Sequence, residues 1–208
     1  MTDWNQWHRS YDDPASSLAR RLVVVQRRLV ESMVALGPGL QQIVSLCAGD
    51  GRDLLPLLSA TAMAPPPVTL LVELDPDLAN GARRAAVSAA LHTVRVIEGD
   101  AGDTSLFADR VPIDLLVLCG IFGNISEDDI RTTIGATASM LREGGRVVWT
   151  RGNSEPDLRP QVRSWFVERG LAEISFDGDP ESFGVGVNER GGDALTTEVP
   201  ERLFRFIR

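Results

Sequence analysis

Short apolar runs alternate with amphipathic segments along most of this 208-residue chain, and that alternation limits the folds it can adopt. Strand-like runs separated by helix-length segments are typical of a parallel sheet with crossover helices, so we predict an α/β, doubly wound, mostly parallel sheet. The strand patterns occur at 42–46, 68–72, 94–97, 113–119, 146–150 and 171–176, with a last one in the C-terminal run RLFRFIR, 202–208. The helix patterns between them occur at 52–61, 76–91, 127–142 and 158–169. Residues 183–192, FGVGVNERGG, fit either an extra strand or an extended loop.

The segment before the first strand pattern is of a different kind. Asp13 followed by Pro14 is a helix-start signal, and apolar residues then recur at helical spacing to about residue 36. An aromatic-rich stretch precedes this helix. We therefore expect a single domain over 1–208, made of an N-terminal helical arm over 1–39 and a core over 40–208.

Composition and charge exclude several classes of function. A net charge of −8 argues against nucleic acid as the partner, because binding a phosphate backbone requires clustered cations. All 21 basic residues are arginines, which excludes Schiff-base chemistry and a phosphate-loop lysine. The two cysteines lack the spacing of metal ligands, so we predict no metal site. The chain has neither a signal-peptide pattern nor an apolar run of the roughly 20 residues that a membrane helix needs. We therefore predict a cytoplasmic protein that does not bind membranes.

The stretch SLCAGDGRDLL, residues 45–55, follows the first strand pattern and has the glycines of a nucleotide-binding turn. A phosphate-binding loop would end in Gly-Lys-Ser or Gly-Lys-Thr, which a chain without lysine cannot do. A dinucleotide-binding turn would have a third glycine where this chain has Leu54, which weakens that interpretation. Loop glycines can also let the backbone approach a nucleoside without phosphates, such as S-adenosylmethionine. Methyl transfer and dinucleotide-dependent oxidoreduction remain as alternatives.

Acidic residues follow the second and third strand patterns as well. LLVELDPDL has Glu73 at the end of its strand pattern, and VIEGDAGD has Asp100. Together with the turn at 45–55, this ordered set resembles the class I S-adenosylmethionine-dependent methyltransferase family over about residues 40–208. The family's first motif is an acid followed by glycines at alternate positions. Gly49 and Gly51 match this motif. The chain departs from it at two positions, because Ser45 stands at the acidic position and Cys47 at the first glycine.

The resemblance implies a Rossmann-like, seven-stranded, mostly parallel sheet with its last strand reversed, and S-adenosylmethionine as the cofactor. It implies that Glu73 accepts hydrogen bonds from both ribose hydroxyls and that Asp100 accepts one from the adenine amino group. Asp75 is expected to cap the helix that begins at Pro76. The cofactor-binding residues that it implies are Tyr11, Cys47, Ala48, Gly49, Asp50, Gly51, Asp53, Glu73, Leu74, Asp100, Ala101, Cys119, Gly120 and Ile121.

Methyl transfer from a sulfonium is an in-line displacement with a neutral leaving group, so positioning supplies much of the acceleration and few acid–base groups are needed. Small-molecule members of the family often have an N-terminal aromatic lid, and Tyr11 is placed similarly. We expect Tyr11 and His8 to lie near the sulfonium and Asn124 to orient the acceptor, and we take these three as the catalytic candidates. Trp4 and Trp7, with Tyr11, fit equally well as residues that fix the arm to the core.

The expected function is transfer of a methyl group to an oxygen or nitrogen of a small metabolite. The turn after the fourth strand pattern is GIFGN, 120–124, and lacks the element typical of enzymes that methylate amino groups of nucleic acids. The arginine-only, alanine-rich composition is typical of high-GC bacterial genomes, where enzymes of this kind, the actinobacterial type, commonly modify secondary metabolites. The alternatives are a protein or RNA methyltransferase of the same fold, a non-catalytic S-adenosylmethionine-binding module, and a nucleotide-dependent oxidoreductase.

Overall fold

The computed structural model describes residues 9–61 and 63–207, so the sequence-based expectations for Trp4, Trp7 and His8 lie outside the described residues. The α-helices of the described residues are α1 (Ser17–Leu36), α2 (Leu55–Ala60), α3 (Pro76–Ser88), α4 (Glu127–Met140) and α5 (Arg159–Glu168). The strands are β1 (Gln42–Leu46), β2 (Val68–Glu73), β3 (Val94–Glu98), β4 (Ile113–Leu118), β5 (Leu141–Gly152), β6 (Leu171–Asp179) and β7 (Phe183–Arg190). Over these residues, no helix combines the length and the apolar character that crossing a bilayer requires.

The seven strands form one sheet in the order β3-β2-β1-β4-β5-β7-β6. Strands β1 to β5 pair with one another in parallel, whereas β7 is antiparallel to both β5 and β6. The chain moves outward from β1 to β3 and then returns to place β4 on the other side of β1. The strand order therefore reverses between β1 and β4, which is where open α/β sheets bind ligands, at the carboxyl ends of the strands. The predicted α/β, doubly wound, mostly parallel sheet is confirmed.

The sheet is buried on both faces because helices cover each side. Alternate residues of a strand point to opposite faces, and Val44 and Leu116 pack in one apolar cluster while Ile43 and Leu115 pack in another. Residues of α4 and α5 belong to the first cluster, and residues of α1, α2 and α3 belong to the second. Every residue of β4 is buried, as expected for a central parallel strand. In the central strands, this double cover leaves the strand ends as the accessible part.

Helix α1 begins three residues later than Asp13 and Pro14 suggest. Its N-cap is Ser16, whose hydroxyl accepts a hydrogen bond from the Ala19 amide at 3.0 Å. The Asp13 carboxylate instead accepts from the Ala15 amide at 2.9 Å and stabilises the preceding turn. Aspartate is favoured both at helix N-caps and in turns of this kind, because its short side chain reaches a backbone amide two or three residues further along the chain.

The predicted final strand at 202–208 is wrong. The seventh strand is β7, which comes from the segment that fitted either a strand or a loop, and it takes the position between β5 and β6. Residues 201–207, hereafter the C-terminal segment, make two isolated bridges instead, one to Asp103 and one to Ile125. The Leu203 amide donates to the Gly102 carbonyl at 2.8 Å, and the Ile207 amide donates to the Asn124 carbonyl at 2.9 Å. The C-terminal segment therefore crosses the loops that follow β3 and β4.

Candidate functional site

A cavity of about 640 Å³ lies at the carboxyl ends of β1, β2 and β4, beside the reversal of strand order. Its lining residues come from the arm, from the turns after β1 to β4, and from the C-terminal segment. They are Tyr11, Arg21, Leu22, Cys47, Ala48, Gly49, Arg52, Asp53, Glu73, Leu74, Asp75, Leu78, Asp100, Ala101, Cys119, Gly120, Phe204, Arg205 and Phe206. The volume is within the range of small-molecule sites, roughly 300–1,000 Å³.

The turn after β1 has an unusual backbone at Cys47. Three of its residues have positive φ angles, which are 54° at Cys47, 57° at Gly49 and 75° at Gly51. At Gly51 a Cβ atom would lie 2.6 Å from Leu55 Cδ1, so this position requires glycine. Cys47 keeps the left-handed conformation that glycine favours, at a cost of roughly 1–2 kcal/mol for a residue with a side chain. The turn thus has the backbone of an alternating-glycine motif, although only two of those glycines are present.

Glu73 ties two turns together at the end of β2. Its Oε2 atom accepts a hydrogen bond from the Gly49 amide at 2.7 Å, and its Oε1 atom accepts one from the Asp75 amide at 2.9 Å. The side chain is buried, and burial raises the pKa of Glu73, although the amides of Asp75 and Gly49 offset part of that rise. Each carboxylate oxygen has a further lone pair, and Glu73 lines the cavity. The carboxylate is therefore a fixed acceptor for paired donors of a ligand.

Asp75 caps α3, as expected, with its Oδ1 atom accepting from the amides of Asp77 and Leu78 at 2.9 and 3.1 Å. Asp100 follows β3 and accepts at both carboxylate oxygens. Its Oδ1 atom accepts from the Gly102 amide at 2.9 Å, and its Oδ2 atom accepts from Arg202 at 2.6 Å. Glu73, Leu74, Asp100 and Ala101 form what we call the β2–β3 end of the cavity.

The opposite end is formed by the arm, α1 and the residues after the first turn, and we call it the arm end. Tyr11 accepts a hydrogen bond from the buried guanidinium of Arg21 at 2.8 Å. The Arg52 guanidinium lies over the Tyr11 ring, 4.7 Å from its centre, and is paired with Asp50. Burial raises the pKa of Tyr11, and the nearby Arg21 charge offsets only part of that rise, so Tyr11 is a neutral phenol at neutral pH.

Asp53 lies at the arm end. Its Oδ1 atom is buried and has no hydrogen-bond partner among the described residues. Burial raises its pKa from 3.8 to about 6, with a smaller increase from the neighbouring Asp50. The Arg21 charge and nearby backbone amides lower it in part. A buried carboxylate oxygen without a donor is costly, so this atom is suited to a ligand that brings a donor or a positive charge.

Ser45 and the two cysteines do not supply a negative charge for such a ligand. Ser45 is buried within β1, and its hydroxyl has no hydrogen-bond partner within the described part of the chain. Burial raises the pKa of Cys47 and of Cys119 well above the usual range, so both are neutral thiols. The Gly120 amide donates to Thr150 Oγ1 at 2.9 Å, which fixes the turn after β4. The described residues contain no group of three or more metal-ligating side chains.

Sequence-based site residues divide into those that line the cavity and those that support it. Within the described residues, four of them are absent from the lining: Asp50, Gly51, Ile121 and Asn124. Asp50 is paired with Arg52, and Ile121 is buried in the core. The Asn124 side chain donates to the Gly120 carbonyl at 2.8 Å and so supports the turn after β4.

Sequence reasoning missed several lining residues. The most consequential are Arg21, Arg52 and the residues of the C-terminal segment. Arg21 belongs to an arginine-rich helix whose polar face looks like ordinary solvated surface. The C-terminal run alternates apolar and charged residues in the same way as a strand, so its pattern contains no signal for a cavity wall.

Several solved structures share this fold. A magnesium protoporphyrin IX methyltransferase from Synechocystis PCC 6803 with bound S-adenosylmethionine superposes with a TM-score of 0.67 and 12% identity, over 91% of this chain and 92% of that one. The fold is that of the class I methyltransferases. An O-methyltransferase family protein from Burkholderia thailandensis has a TM-score of 0.59 and 17% identity, over 91% and 69% of the two chains. A TehB-like methyltransferase from Corynebacterium glutamicum has a TM-score of 0.60 and 20% identity, over 90% and 96%. No family model and no curated protein matches the sequence.

Proposed function

We propose that this protein is an S-adenosylmethionine-dependent methyltransferase that acts on an oxygen or nitrogen of a small metabolite. The observation that carries the proposal is the Glu73 carboxylate, which is held by the amides of Gly49 and Asp75 and opens into the cavity at the end of β2. A fixed carboxylate beside a turn without phosphate-binding residues suits a ribose better than a phosphate. The methyltransferase fold supports the same conclusion.

The two ends of the cavity suit the two ends of S-adenosylmethionine. At the β2–β3 end, Glu73 would accept from the ribose hydroxyls and Asp100 from the adenine amino group. At the arm end, Asp53 Oδ1, which has no partner among residues 9–61 and 63–207, suits the methionine ammonium, and the buried Arg21 guanidinium suits its carboxylate. Asp53 would then supply the negative charge that the first motif lacks at Ser45.

The proposed chemistry needs little beyond positioning. Tyr11 lines the arm end as a neutral phenol, so it would orient the methyl group or the acceptor rather than remove a proton. The neutral thiols of Cys47 and Cys119 would form unreactive walls. In-line transfer to a held acceptor can take most of its rate from orientation. We also propose that the protein works in the cytoplasm of a bacterium, in secondary metabolism, and that no membrane or nucleic acid takes part.

Calorimetry with S-adenosylmethionine, S-adenosylhomocysteine and NAD⁺ tests the cofactor. Micromolar binding of the first two, with NAD⁺ at least about 100-fold weaker, is the expected result. Binding of NAD⁺ alone would contradict the proposal and favour an oxidoreductase.

Transfer is tested separately with methyl-labelled S-adenosylmethionine and three kinds of acceptor, which are a bacterial metabolite extract, bulk RNA and a protein extract. Label in small molecules alone is expected. Label in RNA or protein would overturn the acceptor class, and tight cofactor binding without any transfer would indicate a non-catalytic module.

A further inference from the structure

We propose that the C-terminal segment is part of the cofactor site, where it recognises the adenine base. Arg202 acts as a positioning residue through Asp100, and the Phe206 ring contacts the base. This inference rests on the proposed function, because it takes the β2–β3 end as the adenine end. It goes beyond that function by assigning recognition to a segment outside the sheet.

Three backbone–backbone hydrogen bonds and one bond from a backbone amide to a side chain of α4 hold the C-terminal segment against the rest of the protein. The Thr104 amide donates to the Glu201 carbonyl at 3.1 Å, and the Leu203 amide donates to the Gly102 carbonyl at 2.8 Å. Further along, the Arg205 amide donates to Asp129 Oδ2 at 3.1 Å. The Ile207 amide then reaches the loop after β4 by donating to a carbonyl at 2.9 Å. The segment therefore bridges the loops after β3 and β4 and forms a fixed wall beside Asp100.

The loop after β3 is shaped to receive this wall. A Cβ atom at Gly102 would lie 2.3 Å from the Phe204 carbonyl oxygen, so the two backbones approach more closely than any other residue would permit. Phe204 is itself buried, with 2% of its surface exposed. Such contact means that the position of Asp100, two residues before Gly102, depends on the C-terminal segment.

Arg202 reaches directly back to that carboxylate. Its Nη1 atom lies 2.6 Å from Asp100 Oδ2, while the Gly102 amide holds the other oxygen. Both side chains are partly exposed, at 33% and 48%, and exposed pairs contribute little to folding stability. Because the ion pair holds one oxygen of Asp100 and the Gly102 amide holds the other, the carboxylate is fixed, and its remaining lone pairs can face a donor such as an exocyclic amino group.

Phe206 supplies an apolar face at the same wall. Its ring stacks on Phe204 with 5.7 Å between centres and an 18° angle between planes, and the residue lines the cavity and is 38% exposed in all. Planar bases stack readily on aromatic faces, and this stacking tolerates any base. We therefore assign affinity to Phe206 and discrimination to the Arg202–Asp100 pair.

The test compares S-adenosylhomocysteine with S-inosylhomocysteine, in which a carbonyl oxygen replaces the amino group, by calorimetry on the full chain. The unaltered chain is expected to prefer the adenine compound by about tenfold or more. Arg202→Gln should reduce this preference to about threefold or less, and Arg202→Lys should restore most of it. Phe206→Ala should weaken both compounds by about three- to tenfold and leave their ratio unchanged.

Arg163→Gln is the matched control, because Arg163 pairs with Glu173 at 2.7 Å with similar exposure and is not among the described lining residues. It should change neither affinity nor preference. Equal weakening of both compounds by Arg202→Gln, or unchanged binding in Phe206→Ala, would overturn the inference while cofactor binding by the unaltered chain upholds the proposed function. Failure of the unaltered chain to bind S-adenosylhomocysteine would overturn the proposed function itself.

Discussion

The two ends of the cavity are built in different ways. At the β2–β3 end, Glu73 and Asp100 already accept backbone hydrogen bonds, so their orientation is set by the loops around them. At the arm end, Asp53 has a buried oxygen without a partner among the described residues, and Arg21 approaches from a separate helix. The carboxylates of the first end are held by the protein itself, whereas the second end has a buried carboxylate oxygen, without a partner among the described residues, that a ligand's cation can pair with. The comparison suggests that the β2–β3 end determines affinity and the arm end determines which group follows the nucleoside.

The largest expected effect is at Glu73. Glu73→Ala should weaken binding of S-adenosylhomocysteine by about tenfold or more, because it removes charge-assisted bonds to two hydroxyls. Calorimetry measures the affinity, and chemical denaturation should show a loss of about 1–3 kcal/mol because two amides lose their acceptor. Glu73→Gln retains one acceptor oxygen, so its affinity and stability should lie between those of Glu73→Ala and the unaltered chain. Unchanged affinity in Glu73→Ala would refute the ribose assignment.

Asp53 should distinguish ligands by their amino-acid end. Asp53→Asn is expected to weaken S-adenosylhomocysteine by about tenfold and 5′-methylthioadenosine, which has no ammonium group, by less than about twofold. In the unaltered chain the affinity for S-adenosylhomocysteine should fall below pH 6, since the pKa of Asp53 is raised to about 6 and only the ionised form pairs with ammonium. Equal loss for both ligands would mean that Asp53 does not contact the methionine end.

Burial of Asp53 should also affect folding stability with a definite sign. Its folded pKa of about 6 is above the usual 3.8, so the folded state holds the proton more tightly than the unfolded state. The contribution of Asp53 to the stability of the unliganded chain therefore falls as pH rises from about 4 through 6. Asp53→Asn should gain about 1 kcal/mol or more relative to the unaltered chain between pH 4 and pH 7, after allowance for solvent screening. A constant difference in denaturation midpoint across that range would contradict the burial effect.

Much of the sheet could be predicted from sequence because strand and helix periodicities are local. Strands β1 to β4 lie within one residue of their predicted bounds, whereas the strand predicted at 202–208 was wrong. The apolar residues of this run do not alternate between two faces of a sheet. Leu203 and Phe204 are both buried, and Phe206 is partly exposed. Arg21 was missed for a related reason, since its burial depends on the arm folding back over the first turn. Residues brought together by tertiary packing have no local pattern to identify them.

The smallest expected effect is that of Cys47→Gly, at the position where the first turn departs from the family pattern. Cys47→Gly should change stability by less than about 1 kcal/mol, because relief of the positive φ angle is offset by greater chain entropy on unfolding. Cys47→Val should lose about 2 kcal/mol, because a branched side chain fits that conformation poorly. Denaturation midpoints compare the two variants. Equal stability in both would show that the left-handed backbone at Cys47 is not the source of the constraint.

The most direct measurement is a crystal structure of the full chain with S-adenosylhomocysteine. The account predicts both ribose hydroxyls within hydrogen-bond distance of Glu73, the adenine between Asp100 and Phe206, and the methionine ammonium beside Asp53. A nucleoside bound elsewhere, or in the reverse direction with its base at Tyr11 and Arg21, would contradict it.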